Sequence, residues 1–147
     1  MSDTNKRRIG GGNNVALRSI QAAVVDYFAK NKNVLLVFHF GSSQTGPITQ
    51  ASDVDLGVLF TGEVDPFELA SMREGLSLRI RKDVDLVVLN GASPIIGMQV
   101  LKKGRLLFAR DMKVYHRFYA ETVDQYDDLK QIRKSGEESI LKGRIYA

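Results

Sequence analysis

Apolar and polar positions alternate between two periods along this chain, and the switches between them mark out its elements. From Val15 to Lys30 the apolar residues Leu17, Ile20, Val24, Tyr27 and Phe28 recur at helical spacing, so the segment predicts an amphipathic helix covering one face of a sheet. Two apolar runs follow, VLLVFHF at Val34–Phe40 and DVDLGVLF at Asp53–Phe60, and each reads as a strand. Pro66 to Ile80 returns to helical spacing through Leu69, Met72, Leu76 and Ile80, with Pro66 suited to a first turn. Asp83–Leu89, DVDLVVL, predicts a short buried strand. Ser93-Pro94 reads as an N-cap and first helical residue, Gly104 fits just beyond that helix, and Leu106-Leu107-Phe108 predicts a last strand. From Met112 onward Tyr115, Phe118, Tyr119, Val123 and Tyr126 recur at helical intervals and predict a C-terminal helix.

This order predicts one small α/β (α+β) domain, a mixed sheet packed by helices with a C-terminal helix. The 147 residues, 44% of them hydrophobic, suffice for a normal core, and no internal repeat or low-complexity tract divides them. Residues 1–14, with Lys6-Arg7-Arg8 and a glycine run, read as a flexible basic tail; 15–135 read as the domain and 136–147 as a tail open to a partner. A net charge of +4 is spread along the chain and decides little about partners. The absence of cysteine removes disulfides and thiolate zinc sites, and His39 and His116 are too few for a histidine cluster. The N-terminal segment lacks a signal-peptide core and no apolar run reaches membrane-spanning length, so the expected place is the cytoplasm, with no membrane partner.

The chemistry concentrates in FGSSQTGPITQASDVDLGVLF, where Gly41-Ser42 is followed after ten residues by Asp53-Val54-Asp55. Strand side chains alternate, so Asp53 and Asp55 project to one side while Val54 and Leu56 enter the opposite layer. Two carboxylates about 4 Å apart repel by roughly 4 kcal/mol at an effective dielectric near 20, which calls for separation, protonation or a cation. Hard oxygen ligands suit Mg²⁺. Asp85, in the later VDLVVL run, joins the pair if the two strands are neighbours. Gly41 has no Cβ to obstruct a phosphate nearing the backbone, and Ser42 adds a hydroxyl. Gly46-Pro47 would turn the chain back toward Asp53. His39, between Phe38 and Phe40, reads as a core residue, and His116 as a surface one.

In this motif and its spacing, together with the VDLVVLN strand, the SPIIGMQVLKKG helix and the LLFARD segment, the chain resembles the minimal nucleotidyltransferases of the DNA polymerase β-like nucleotidyltransferase superfamily. The resemblance spans about Val34 to Asp111, roughly half the chain. It implies the nucleotidyltransferase fold, with Gly41 and Ser42 binding the triphosphate of ATP. It also implies that Asp53 and Asp55 bridge two Mg²⁺ ions and that Asp85 is the third ligand and a candidate proton acceptor. Asp83 competes for that third place; Asp85 aligns with the VDL of the family strand. Where many relatives carry basic residues after Gly-Ser, this chain has Ser43, Gln44 and Thr45. Small proteins of this kind commonly serve as antitoxins that add AMP to a tyrosine of a HEPN-family toxin, so the implied activity is protein adenylyl transfer and nucleic acid is not the expected substrate. Neutralisation of the toxin by binding alone, and transfer to a small hydroxylated molecule, are the other readings.

Overall fold

The computed structural model describes residues 2–41 and 53–146, with side chains described from 15–41 and 53–139. Its elements run α1 (Ser2–Ala29), β1 (Val34–Phe40), β2 (Val54–Phe60), α2 (Pro66–Ile80), β3 (Val84–Val88), α3 (Pro94–Lys103), β4 (Arg105–Ala109) and α4 (Met112–Tyr146). The four strands form one sheet in the order β3-β2-β1-β4, with β2 and β3 parallel and the other two pairings antiparallel. The parallel pair is joined through α2, as a parallel connection requires.

Both faces of the sheet are covered, which explains why β1 and β2 read as nearly continuous apolar runs. On one face Ile20, Val24 and Phe28 of α1 and Met72 and Leu76 of α2 meet Val37, Leu56, Val58 and Phe60. On the other, Val100 of α3 and Val114, Tyr115 and Phe118 of α4 meet Leu36, Phe38 and Leu89. A bulge between Val34 and Leu36 resets the alternation, so Val34 and Val37 share the α1 face while Leu36, Phe38 and Phe40 turn to α3 and α4. Phe38 is the centre of the aromatic packing, 6.1 Å from Tyr115 and 5.8 Å from Phe118 between ring centroids.

Local chemistry sets the helix ends. Asp65 caps α2 by accepting from the Phe67 N–H at 2.9 Å, and Arg81 ends it in a left-handed conformation. Ser93 caps α3 and the Gly104 N–H closes it on the Val100 carbonyl at 2.9 Å. The two outer helices are longer than their apolar spacing predicts. α1 begins at Ser2, within the segment that reads as a tail, and α4 runs to Tyr146. Periodicity reports only packed turns, whereas a nucleated helix propagates beyond them at little cost per residue. No helix among the described residues is long and apolar enough to cross a membrane.

Sequence patterning gave no hint of two polar ties at the end of the sheet where β1 begins. Asn90 accepts from the Phe60 N–H and donates to the Phe60 carbonyl, both at 2.8 Å, and so extends the ladder beyond β2. Arg110 donates to the carbonyls of Val34 at 2.9 Å, Asn31 at 2.9 Å and Ala29 at 3.2 Å, which fastens the α1–β1 turn to the end of β4. Replacing it removes a donor from all three carbonyls, of which that of Asn31 keeps the Val34 N–H at 3.1 Å. Arg110→Met is expected to lower stability by about 2 kcal/mol in urea unfolding followed by circular dichroism; an unchanged midpoint would show that the tie is dispensable.

Candidate functional site

The opposite end of the sheet, where β1 finishes and β2 and β3 begin, carries the acidic motif. Phe40 pairs with Asp55 across the antiparallel β1–β2 ladder, and Asp55 pairs with Asp85 across the parallel β2–β3 ladder. Directly paired residues project to the same face, so the two carboxylates stand side by side with Phe40, on the face shared with α3 and α4. Val54, Leu56, Val84 and Leu86 point the other way, into the α1–α2 layer, and hold this alternation in place. Asp53 lies one residue before β2 and is exposed; Asp55 is half-buried and Asp85 exposed.

Burial raises the pKa of Asp55, and the charges of Asp85 and then Asp53 raise it further. These three acids are therefore brought together electrostatically. Asp83 is not among the charges that act on Asp55: its carbonyl accepts from the Val54 N–H at 2.9 Å, and it lines a shallow depression with Arg73, Glu74 and Ser77 of α2. A carboxylate whose pKa is raised on folding costs stability at neutral pH, and the cost is relieved as pH falls through its folded pKa.

Gly41 closes the end of β1 with φ +83°, a conformation that glycine adopts without strain. A Cβ at this position would collide with the Asp55 carboxylate, lying 3.0 Å from its Cγ and nearer still to Oδ2. The glycine therefore leaves its backbone bare beside the acidic rim. Ser42 and the rest of 42–52, including Ser43, Gln44, Thr45, Gly46 and Pro47, lie outside the described residues.

Among the described residues no three acidic or histidine side chains are already drawn into a closed ligand cluster. Asp53, Asp55 and Asp85 instead line an open rim, and their chemistry fits a hard divalent cation. They offer oxygen donors only, and the mutual repulsion expressed at Asp55 is what a bound cation would relieve.

Residues 23–113 match the family described as Polymerase beta, Nucleotidyltransferase. The chain belongs to this nucleotidyltransferase family. It is 29% identical over 100 residues to the protein adenylyltransferase MntA of Shewanella oneidensis, across 68% of this chain and 71% of that protein. Its fold is similar to that in a crystal structure of a toxin–antitoxin with AMP-PNP, with a TM-score of 0.71, 24% identity and coverage of 82% of this chain and 98% of that one. A second likeness, with a TM-score of 0.69 and 22% identity over 85% of this chain and 98% of that one, is to a structure of the tri-AMPylated Shewanella oneidensis HEPN toxin in complex with MNT antitoxin. The four-stranded mixed sheet with its C-terminal helix is thus a nucleotidyltransferase fold.

Other features of this nucleotidyltransferase that invite a catalytic reading belong to its frame. His39 is 1% exposed, faces α1, and its Nδ1 accepts from Gln21 Nε2 at 3.1 Å. Burial holds its pKa down at about 4, so it stays neutral at physiological pH. His116 is exposed on α4 against the edge of Tyr115. Tyr115 and Phe118 are packed, while Tyr126 lies beneath the ammonium groups of Lys102 and Lys130. A cavity of about 310 Å³, bounded by Leu35, Leu59, Leu89, Asn90, Arg117 and Phe118, is at the other end of the sheet from the carboxylates. Leu59 lies four positions along β2 from Asp55, roughly 13 Å.

Two outcomes follow from these environments. Because the unfolded chain binds a proton at His39 near pH 6.5 and the folded chain only near 4, stability falls as pH drops through that window. The loss is about 3 kcal/mol at most, and a denaturation series from pH 7 to 4 on wild type and His39→Gln should show the variant lacking this part of the slope. Gly41→Ala should cost about 1–2 kcal/mol from the left-handed backbone alone, with further loss from the collision with Asp55; a melting temperature equal to wild type would contradict the tight approach seen here.

Proposed function

We propose that this nucleotidyltransferase is an antitoxin-type protein adenylyltransferase that moves AMP from ATP to a tyrosine hydroxyl of a HEPN-family toxin in the cytoplasm. The observation that carries the proposal is the pairing of Asp55 with Asp85 beside the bare turn at Gly41, with Asp53 adding to the same charge cluster. The likeness to MntA, a protein adenylyltransferase, supports the reaction type, and the likeness to an MNT antitoxin held with a tri-AMPylated HEPN toxin supports the acceptor.

In this reading Asp53, Asp55 and Asp85 would hold two Mg²⁺ ions on the rim, which would supply charge neutralisation for the triphosphate and lower the pKa of the acceptor hydroxyl. Gly41 admits the triphosphate to the backbone, and Ser42 contributes its hydroxyl. The tyrosine oxygen attacks the α-phosphorus, forming the new P–O bond as the bond to the bridging oxygen breaks and pyrophosphate departs. Asp85 takes the proton, a role suited to an exposed carboxylate at the mouth of the site. The half-buried Asp55 stays fixed by its strand neighbours and orients the cluster.

A second reading, neutralisation of the toxin by binding alone, is favoured by one specific feature: Ser43, Gln44 and Thr45 carry no positive charge where a triphosphate would need it. The two are separated by intact mass spectrometry of a candidate HEPN partner after incubation with this protein, Mg²⁺ and ATP. Transfer predicts a gain of one or more AMP units with wild type and none with Asp53→Asn or Asp55→Asn, a rate loss of at least about 10³-fold. Both variants should melt at or above the wild-type temperature, because each removes a charge from a repelling cluster. A partner that binds yet gains no mass with any nucleoside triphosphate establishes occlusion instead, and transfer retained by either variant removes the acid cluster from the mechanism.

A further inference from the structure

Among the described residues no ion pair engages Asp53, Asp55 or Asp85. A donor triphosphate brought to Gly41 therefore meets three carboxylates and, in the segment after Gly-Ser, no basic residue. Any side-chain positive charge for the phosphates comes from another element.

The sheet order identifies which one. β4 adjoins β1, and its first residue, Arg105, pairs with His39, two positions before Gly41. The preceding Gly104 packs on Phe40: a Cβ on Gly104 would lie 3.3 Å from the Phe40 Cβ. The corner Lys103-Gly104-Arg105 is thus seated against the residue that leads into the Gly41 turn. Lys103 ends α3, which covers the face that carries Phe40, whereas Arg105 shares the His39 face, so the corner spans both faces of the sheet beside the end of β1. Both are exposed, and among the described residues neither is engaged in an ion pair. Lys102 differs, lying over the Tyr126 ring at 5.8 Å. Arg81 and Lys82 precede β3, which stands two strands from β1, roughly 10 Å at ordinary strand spacing.

We infer that Lys103 and Arg105 bracket the Gly41 turn and bind the terminal phosphates of the donor nucleotide, supplying from the α3–β4 corner the charge missing after Ser42. This rests on the nucleotidyl-transfer reading above and extends it to how the donor is recognised. It divides the site by charge: the carboxylates would hold the cations, and the α3–β4 corner meets the β- and γ-phosphates. The chemistry recognised is a polyphosphate, so ATP should be bound far better than AMP.

Fluorescence titration of the purified full chain with MANT-ATP and MANT-AMP in Mg²⁺ tests this without any transfer reaction. Wild type should prefer MANT-ATP, and inorganic tripolyphosphate should displace it. Lys103→Gln and Arg105→Gln should each weaken MANT-ATP about tenfold, the loss of one charge-assisted contact, while leaving MANT-AMP within about twofold and the melting temperature unchanged. Lys113→Gln, at the other end of the sheet, removes the same charge and should leave both titrations unchanged. If the bracket variants bind MANT-ATP as wild type does, or lose MANT-ATP and MANT-AMP equally, the inference is overturned. A wild type that binds MANT-ATP no better than MANT-AMP overturns it as well, and one that binds neither overturns the donor assignment itself.

Discussion

The arrangement depends above all on strand register at one end of the sheet. Phe40 opposite Asp55, and Asp55 opposite Asp85, bring an apolar anchor, a half-buried carboxylate and an exposed one into a row that three different segments supply. A slip of one residue in either ladder would send the carboxylates into the α1–α2 core and turn Val54 and Leu56 outward. The buried valines and leucines on the opposite face therefore fix the acids as firmly as any contact the acids make themselves. This lets the fold hold like charges together at the cost expressed in the raised pKa of Asp55.

The two ends of the sheet differ in kind. At the end where β1 begins, Asn90 and Arg110 satisfy backbone groups that the ladders leave over, and the chain is fastened there. At the end where β1 finishes, Gly41 approaches the Asp55 carboxylate without an intervening side chain and the acids lie at the surface. The buried His39 belongs to the supporting frame: neutral, bonded to Gln21, it joins α1 to the strand that presents Gly41.

How much of this was legible in the chain follows from the range of each interaction. Helix and strand types were readable wherever a residue's partners sit on the same face a few positions away, as in Leu69, Met72 and Leu76 or the caps at Ser93 and Gly104. The G-S and D-x-D spacing pointed to the candidate site because alternation along an extended segment puts Asp53 and Asp55 on one side. The full reach of α1 and α4 was not readable, since beyond the packed turns no apolar period records it. Nor were the roles of Asn90 and Arg110, which act on backbone carbonyls and amides and leave no pattern in the residues they touch.

The sequence by itself determined the small α/β architecture, the acidic motif with its glycine turn, and the burial of His39 between two phenylalanines. Only the tertiary structure decided that β3 lies parallel beside β2 with Asp85 opposite Asp55, that Asp83 lines a depression beside α2, and that the Lys103-Gly104-Arg105 corner adjoins Phe40 at the end of β1. The physical reason is distance along the chain. Alternation and capping act within one element, whereas register between strands thirty residues apart is set by which pairing buries the apolar faces of both, and that is a property of the assembled core.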